Sequence, residues 1–157
     1  MEERKLALRR IITVGDDILR KRAREVTKFD DRLASLIDDM FDTMYDAPGA
    51  GLAANQVGIL RRVVVIDVGD GPVELVNPEI IKVEGEQHTE EGCLSVPGKQ
   101  GSTTRPAKVT VKAFNRKGEE IEVTGEDLMA VALCHETDHL DGTLYIDHAE
   151  ETWEVED

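Results

Sequence analysis

An α+β fold is expected for this chain, with antiparallel strands around a central helix and an amphipathic helix nearer the N-terminus. Three observations predict it. Runs of β-branched residues gather in the middle of the chain, two helical periodicities flank them without alternating with them, and one pair of runs is joined by a glycine-containing turn. Alternation of strands and helices would instead have predicted a doubly wound parallel sheet.

The first helix is expected from Asp30. Leu33, Leu36, Ile37, Met40, Phe41, Met44 and Tyr45 follow the i, i+3, i+4, i+7 rule, and Pro48-Gly49 ends the run. Asp38, Asp39 and Asp42 then form its solvated stripe. Strands follow at Val63 to Val68, closed by Gly69-Asp70-Gly71-Pro72, then at Val73 to Val76 and at Ile80 to Val83, with Pro78 marking an edge or a break. Val109 to Phe114 and Glu120 to Val123 flank Asn115-Arg116-Lys117-Gly118, which suits an antiparallel hairpin whose turn uses glycine for positive φ. A second helix is expected from about Glu126 to Leu140, with Thr124 as N-cap, Glu126 and Asp127 facing the positive helix end, and Gly142 at the stop. The tail from Ala149 to Asp157 holds five acids and no base and is expected to fray.

At 157 residues the chain has the size of one domain, and residues 1–157 are read as a single catalytic domain. Lys and Arg total 19 against 33 Asp and Glu, a formal net charge of -14, which argues against direct nucleic-acid binding or a grip on an anionic membrane. The first ten residues carry early acids and no secretory apolar core, and no stretch approaches the ~20 apolar residues of a membrane span. A cytoplasmic location is expected. Cys93 and Cys134 could in principle form one disulfide, but without a signal peptide a reducing compartment is expected, where cysteine more often packs, binds metal or reacts.

His135-Glu136-Thr137-Asp138-His139 sets two imidazoles at i and i+4, on one face of the second helix, with a glutamate beside them. The expected architecture is therefore one of strands around a central metal-binding helix. A hydrolytic metal takes three protein ligands and keeps one position open. The metalloprotease pattern His-Glu-x-x-His-x-x-Gly-x-x-His holds as far as Gly142 and fails at Tyr145, which disfavours an endopeptidase. A downstream glutamate would have to come from the short acidic tail. Cys93, in Glu90-Glu91-Gly92-Cys93-Leu94-Ser95, is the best third ligand. A lone cysteine is more often a small buried hydrophobe, and the helix motif reverses that preference. Cys134 points ~100° away around the helix and should pack in the core. His88 and His148 read as ordinary polar residues. Glu91 and Arg105 could form an ion pair steadying the Cys93 loop, or a surface pair worth little. Leu128, Val131 and Ala132 precede His135 by seven, four and three residues, so they should wall an apolar substrate pocket on the ligands' face, one that suits methionine. In Gly49 to Gly58, small residues permit close approach of a chain and Gln56 can donate to an oxygen, although the same pattern also suits a tight turn.

Three separated segments resemble the peptide deformylase family: Gly49-Ala50-Gly51-Leu52-Ala53-Ala54-Asn55-Gln56-Val57-Gly58, Glu91-Gly92-Cys93-Leu94-Ser95, and His135-Glu136-Thr137-Asp138-His139-Leu140-Asp141-Gly142. Asp16-Asp17-Ile18-Leu19-Arg20 looks like the family's opening segment, with Asp17 where proline is frequent, and Cys134 stands where many members have glutamine. The resemblance implies a metal-dependent hydrolase that removes the N-formyl group from the formyl-methionine of nascent polypeptides. It implies one divalent metal on Cys93, His135 and His139, usually Fe2+, with Ni2+, Co2+ or Zn2+ able to substitute. Glu136 would deprotonate the attacking water and protonate the departing amine. The Gln56 amide and the Leu94 backbone N–H would stabilise the oxyanion, and Gly51 would offer backbone to the substrate. The implied partners are N-formylated nascent peptides and, transiently, the ribosome, which some bacterial members reach through a basic C-terminal helix that this acidic tail does not supply.

Overall fold

Residues 7–155 are described by a computed structural model, and Met1 to Leu6, Glu156 and Asp157 lie outside the described residues. The two helices are α1, Asp31–Asp46, and α2, Leu128–Leu140. The strands are β1, Gly51–Ala53; β2, Val63–Ile66; β3, Val73–Glu84; β4, Gln87–Cys93; β5, Val96–Arg105; β6, Lys108–Phe114; β7, Glu120–Glu126; and β8, Glu151–Glu154. They form a five-stranded sheet in the order β1-β2-β3-β6-β7 and a three-stranded sheet in the order β4-β5-β8, with every pairing antiparallel.

The five-stranded sheet follows from the valine-rich runs. All four residues of β2 are buried, because successive side chains of a strand point to opposite faces and both faces here are covered. Val64 and Ile66 join Ala130, Leu133 and Leu140 of α2 in one apolar cluster. Val63 and Val65 join Leu33, Ile37, Met40 and Met44 of α1 in another. The sheet thus separates the two helices, and α2 also touches β5 of the smaller sheet.

Local chemistry sets the element ends. Asp30 caps α1 by accepting from Leu33 N at 3.0 Å. The helix matches its expected span, but its polar stripe does not: Asp42 is buried and accepts from Ala7 N at 3.3 Å, while Tyr45 is exposed and donates to Asp67 at 2.7 Å. The N-terminal segment lies across the helix and covers what periodicity alone assigned to solvent. The hairpin forms as expected, and Gly118 at its turn has φ +80.

Four expectations are corrected. Val73–Glu84 is one strand, because a register shift between Val76 and Glu79, with Asn77 at φ 52, absorbs Pro78 as a bulge. The strand expected over Val63 to Val68 stops at Ile66, where Asp67 turns the chain and accepts from Gly69 N. Thr124 is not an N-cap: it pairs with Thr110 inside β7, which runs through Glu126, and α2 starts after Asp127, held at φ 53. The tail is not frayed over residues 151–154, which pair with β5 as β8.

Candidate active site

Cys93 closes β4. The register shifts between Gly92 and Cys93, and the thiol turns toward α2 instead of continuing the ladder. His135 and His139 stand one turn apart on α2, their ring centroids 5.0 Å apart. One ligand atom from each of Cys93, His135 and His139 lies within 4.8 Å of the others, and Cys93 Sγ is 3.3 Å from His139 Nε2. The helix alone cannot make this cluster; the β4–β5 turn must be folded against it.

A polar chain of contacts orients the cluster. His135 Nδ1 lies 2.8 Å from Glu91 Oε1, which leaves Nε2 facing the Cys93 side. Glu91 also accepts from Arg105 at 2.7 and 3.0 Å and from the Thr103 hydroxyl, and Arg105 donates onward to Asp138 at 2.9 Å. Glu91 and Arg105 form a buried ion pair, 4% and 7% exposed, so the surface alternative falls away. Burial would raise the Glu91 carboxyl, but the hydrogen bonds from His135, Arg105 and Thr103 outweigh it and hold it down at about 2. Tyr145, which ended the metalloprotease pattern, stacks on His135 at 5.9 Å. His135 is raised well above its ordinary value despite burial, by Glu136, Cys93 and Glu91. Anions that favour a proton there favour a cation in the same place.

Glu136 packs beside the cluster, with Oε2 4.0 Å from His135 Nε2 and Oε1 buried without a hydrogen-bond partner among the described residues. Burial pushes its carboxyl up to about 7, against the opposing pull of His135. Gly51 is glycine for a reason visible here: a Cβ would stand 2.5 Å from Glu136 Oε2. Gln56 accepts from Ala53 N at 2.9 Å and directs its amide nitrogen at Ser95 Oγ, 3.0 Å, and Cys93 Sγ, 3.5 Å. A cleft of about 420 Å³ opens on these groups. Leu94, Val131 and Ala132 line it, with Leu128, 58% exposed, at its edge.

The cluster accommodates a metal. One thiol and two imidazoles are the donor set that transition metals and zinc take, and the unpartnered Glu136 oxygen stands beside them. Cys134 is apart from it, buried in the α2 core with its thiol pushed up to about 11 by burial. His148 lies 3.8 Å from Asp138, and His88 contacts the Thr104 hydroxyl at 3.0 Å. Ser95, Thr103, Asp138 and Tyr145 were not anticipated. Arg105 is named from the sequence as a partner for Glu91, whereas Thr103 leaves no signal there, because the burial that alternates along β5 falls on polar residues without apolar periodicity.

The family model described as polypeptide deformylase matches residues 8–154. Peptide deformylase 1 of Clostridium acetobutylicum is 58% identical over 147 residues, covering 94% of this chain and 98% of that protein. The crystal structure of a peptide deformylase from Legionella pneumophila superposes with a TM-score of 0.89 at 50% identity, covering 92% of this chain and 87% of that one. A peptide deformylase from Synechococcus elongatus, solved in complex with actinonin, gives a TM-score of 0.89 at 38% identity, covering 96% and 85%. This chain belongs to the polypeptide deformylase family.

Proposed function

We propose that Cys93, His135 and His139 hold one divalent ion for the family's reaction, with Glu136 as the proton carrier, and that residues 1–157 act as a single catalytic domain. The protein is a metal-dependent hydrolase that removes the N-formyl group from nascent polypeptides. The observation that carries the residue assignment is the Cys-His-His triangle, its two histidines buried, beside a carboxylate oxygen with no hydrogen-bond partner among the described residues.

Fe2+ is the proposed ion, with Ni2+, Co2+ or Zn2+ able to take its place, since a mixed sulfur and nitrogen set suits all four. When bound, such an ion supplies a Lewis acid that polarises a carbonyl and makes water a nucleophile near neutral pH. Glu136, poised near 7, takes a proton from the attacking water and delivers it to the departing amine nitrogen. The Gln56 amide, already aimed toward Cys93, and the Leu94 N–H stabilise the oxyanion formed at the formyl group. Gly51 offers backbone to the substrate. Leu128, Val131 and Ala132 of α2 receive the methionine side chain.

Among the described residues no helix is long and apolar enough to cross a membrane. We place the enzyme in the cytoplasm, where formylated chains emerge. A transient ribosome contact is part of the same reading, and the acidic residues 151–154, engaged as a strand, do not supply a basic helix for it.

Anaerobic purification, metal analysis and a formyl-Met-Ala assay test the reading. Wild type should carry one metal per chain and release formate. Glu136→Ala should keep the metal and lose at least ~10²-fold in kcat, and Gln56→Ala should lose kcat more than KM, on the order of 10²-fold. Near-normal kcat in either variant would remove that residue from its role.

A further inference from the structure

Beyond the reacting end, the cleft continues past Leu94 to Pro97, Lys99 and Val155. Besides His135, Lys99 is the only basic residue among the described residues that line it. Its main chain is fixed: the Lys99 carbonyl accepts from the Tyr145 hydroxyl at 3.0 Å, and the residue pairs with Glu154 across β5 and β8. Its ammonium is not. In a chain with 33 acids against 19 bases, each of the other Lys and Arg residues on a strand has a carboxylate partner: Lys82 with Glu84, Arg105 with Glu91, Lys108 with Glu84 and Glu126, and Lys112 with Glu120. Among the described residues Lys99 alone on the strands has none, although Glu154 stands opposite it in the register. A half-buried cation held at the mouth of a cleft and kept out of the surface ion pairs is placed to meet an anion arriving in that cleft.

We propose that Lys99 is a specificity-determining residue that makes the outer end of the cleft a carboxylate-selecting subsite for residues downstream of the formyl-methionine. The proposal rests on the deformylase reading of the inner end. A substrate whose formyl group sits beside Glu136 runs along the cleft in extended form, so the carboxylate belongs to a residue beyond the first. It could come from an aspartate or glutamate side chain or, in a short peptide, from the free C-terminus. A lengthening nascent chain offers only the side chain.

The test compares kcat/KM at low salt for formyl-Met peptide amides carrying Glu or Gln at the second, third or fourth position, and for a formyl-Met tripeptide as free acid and as amide. At one position Glu should exceed Gln by about two- to fivefold, the range of a partly exposed ion pair. The effect should shrink in 0.5 M salt, where screening acts over a few ångströms. A preference only in the free-acid tripeptide would assign the subsite to terminal carboxylates. Lys99→Gln should bring the ratio to about 1 and Lys99→Glu should invert it. Lys117→Glu, which alters net charge equally at the exposed hairpin turn, should keep the wild-type ratio and so separates local contact from the field of the whole protein. Ratios near 1 throughout in wild type, or a preference that survives Lys99→Gln, would overturn the proposal. Failure to release formate from any peptide, neutral ones included, would instead strike the reading on which it rests.

Discussion

The two sheets bury opposite kinds of side chain. In the five-stranded sheet the positions facing α2 include Val64, Ile66, Leu75, Val109 and Val111, those facing α1 include Val63, Val65 and Val76, and stability there comes from apolar area removed from water. In the three-stranded sheet the inward positions of β4 and β5 include Glu91, Thr103 and Arg105, fully buried and joined by hydrogen bonds. A polar core of this kind contributes little net stability, since the desolvation of Glu91 and Arg105 offsets most of what their attraction returns. It contributes geometry instead, aiming the His135 ring and steadying the strand that ends in Cys93. The apolar sheet holds the protein folded and carries α2; the polar sheet brings the proposed third ligand and sets the angle of the first histidine.

The comparison breaks most completely at Cys93. Cys93→Ala removes the proposed ligand from the polar sheet while leaving the apolar one intact, so the protein should fold, lose its metal and lose turnover, as metal analysis and the formate assay would show. One metal per chain with full activity in that variant would refute the third-ligand assignment.

The next effect belongs to α2. If Leu128, Val131 and Ala132 wall a methionine slot, formyl-Met should exceed formyl-Ala substrates by about 10- to 200-fold in kcat/KM. Ala132→Phe should then depress the formyl-Met value much more than the formyl-Ala value. If those residues are core alone, the variant loses melting temperature while its substrate ratio stays constant.

A paired experiment sharpens the division of labour. Glu91→Gln should cost about 10- to 100-fold in metal affinity, as loss of a group supporting a ligand does. Leu133→Ala should cost 2 to 5 kcal/mol in unfolding free energy, about 2 to 4 °C in Tm for each kcal/mol, with the folded fraction binding metal normally. Acid adds a signature. The folded Glu91 carboxyl sits at about 2, below its ordinary 4.5, so its contribution is present above about 4.5 and is lost as pH falls toward 2. Urea midpoints should show that part of the acid sensitivity absent from Glu91→Gln. Equal pH dependence in the two proteins would contradict the role given to the ion pair.

The smallest effect separates the two thiols. Both cysteines are free, Cys93 partly exposed and Cys134 buried with its thiol raised to about 11. In metal-free protein at pH 8 a thiol reagent should label one cysteine quickly and the second only on unfolding. Two equally fast thiols would show that the α2 core is open.

Much was legible in the sequence for a physical reason. Apolar side chains at helical or alternating spacing write their burial into the chain, and α1, the β6–β7 hairpin and the body of α2 were read that way. Where they were misread, a neighbour had intervened: β6 drew Thr124 to Glu126 into a ladder and away from the helix start, and the N-terminal segment covered Asp42. β4 and β5 left no such trace, since alternation of Glu, Thr and Arg looks like an exposed loop until partners are in place. The sequence by itself determined the i, i+4 histidine pair, the glutamate between them and the family to which the chain belongs. Only the tertiary structure decided how Cys93, more than forty residues away in the chain, comes within 3.3 Å of His139, that Glu91 and Arg105 are buried behind His135, and that Lys99 lines the cleft without a carboxylate partner among the described residues. Spacing along a helix is local and can be counted, whereas these contacts depend on how two sheets pack, and a polar interior becomes visible only when donors and acceptors have found one another.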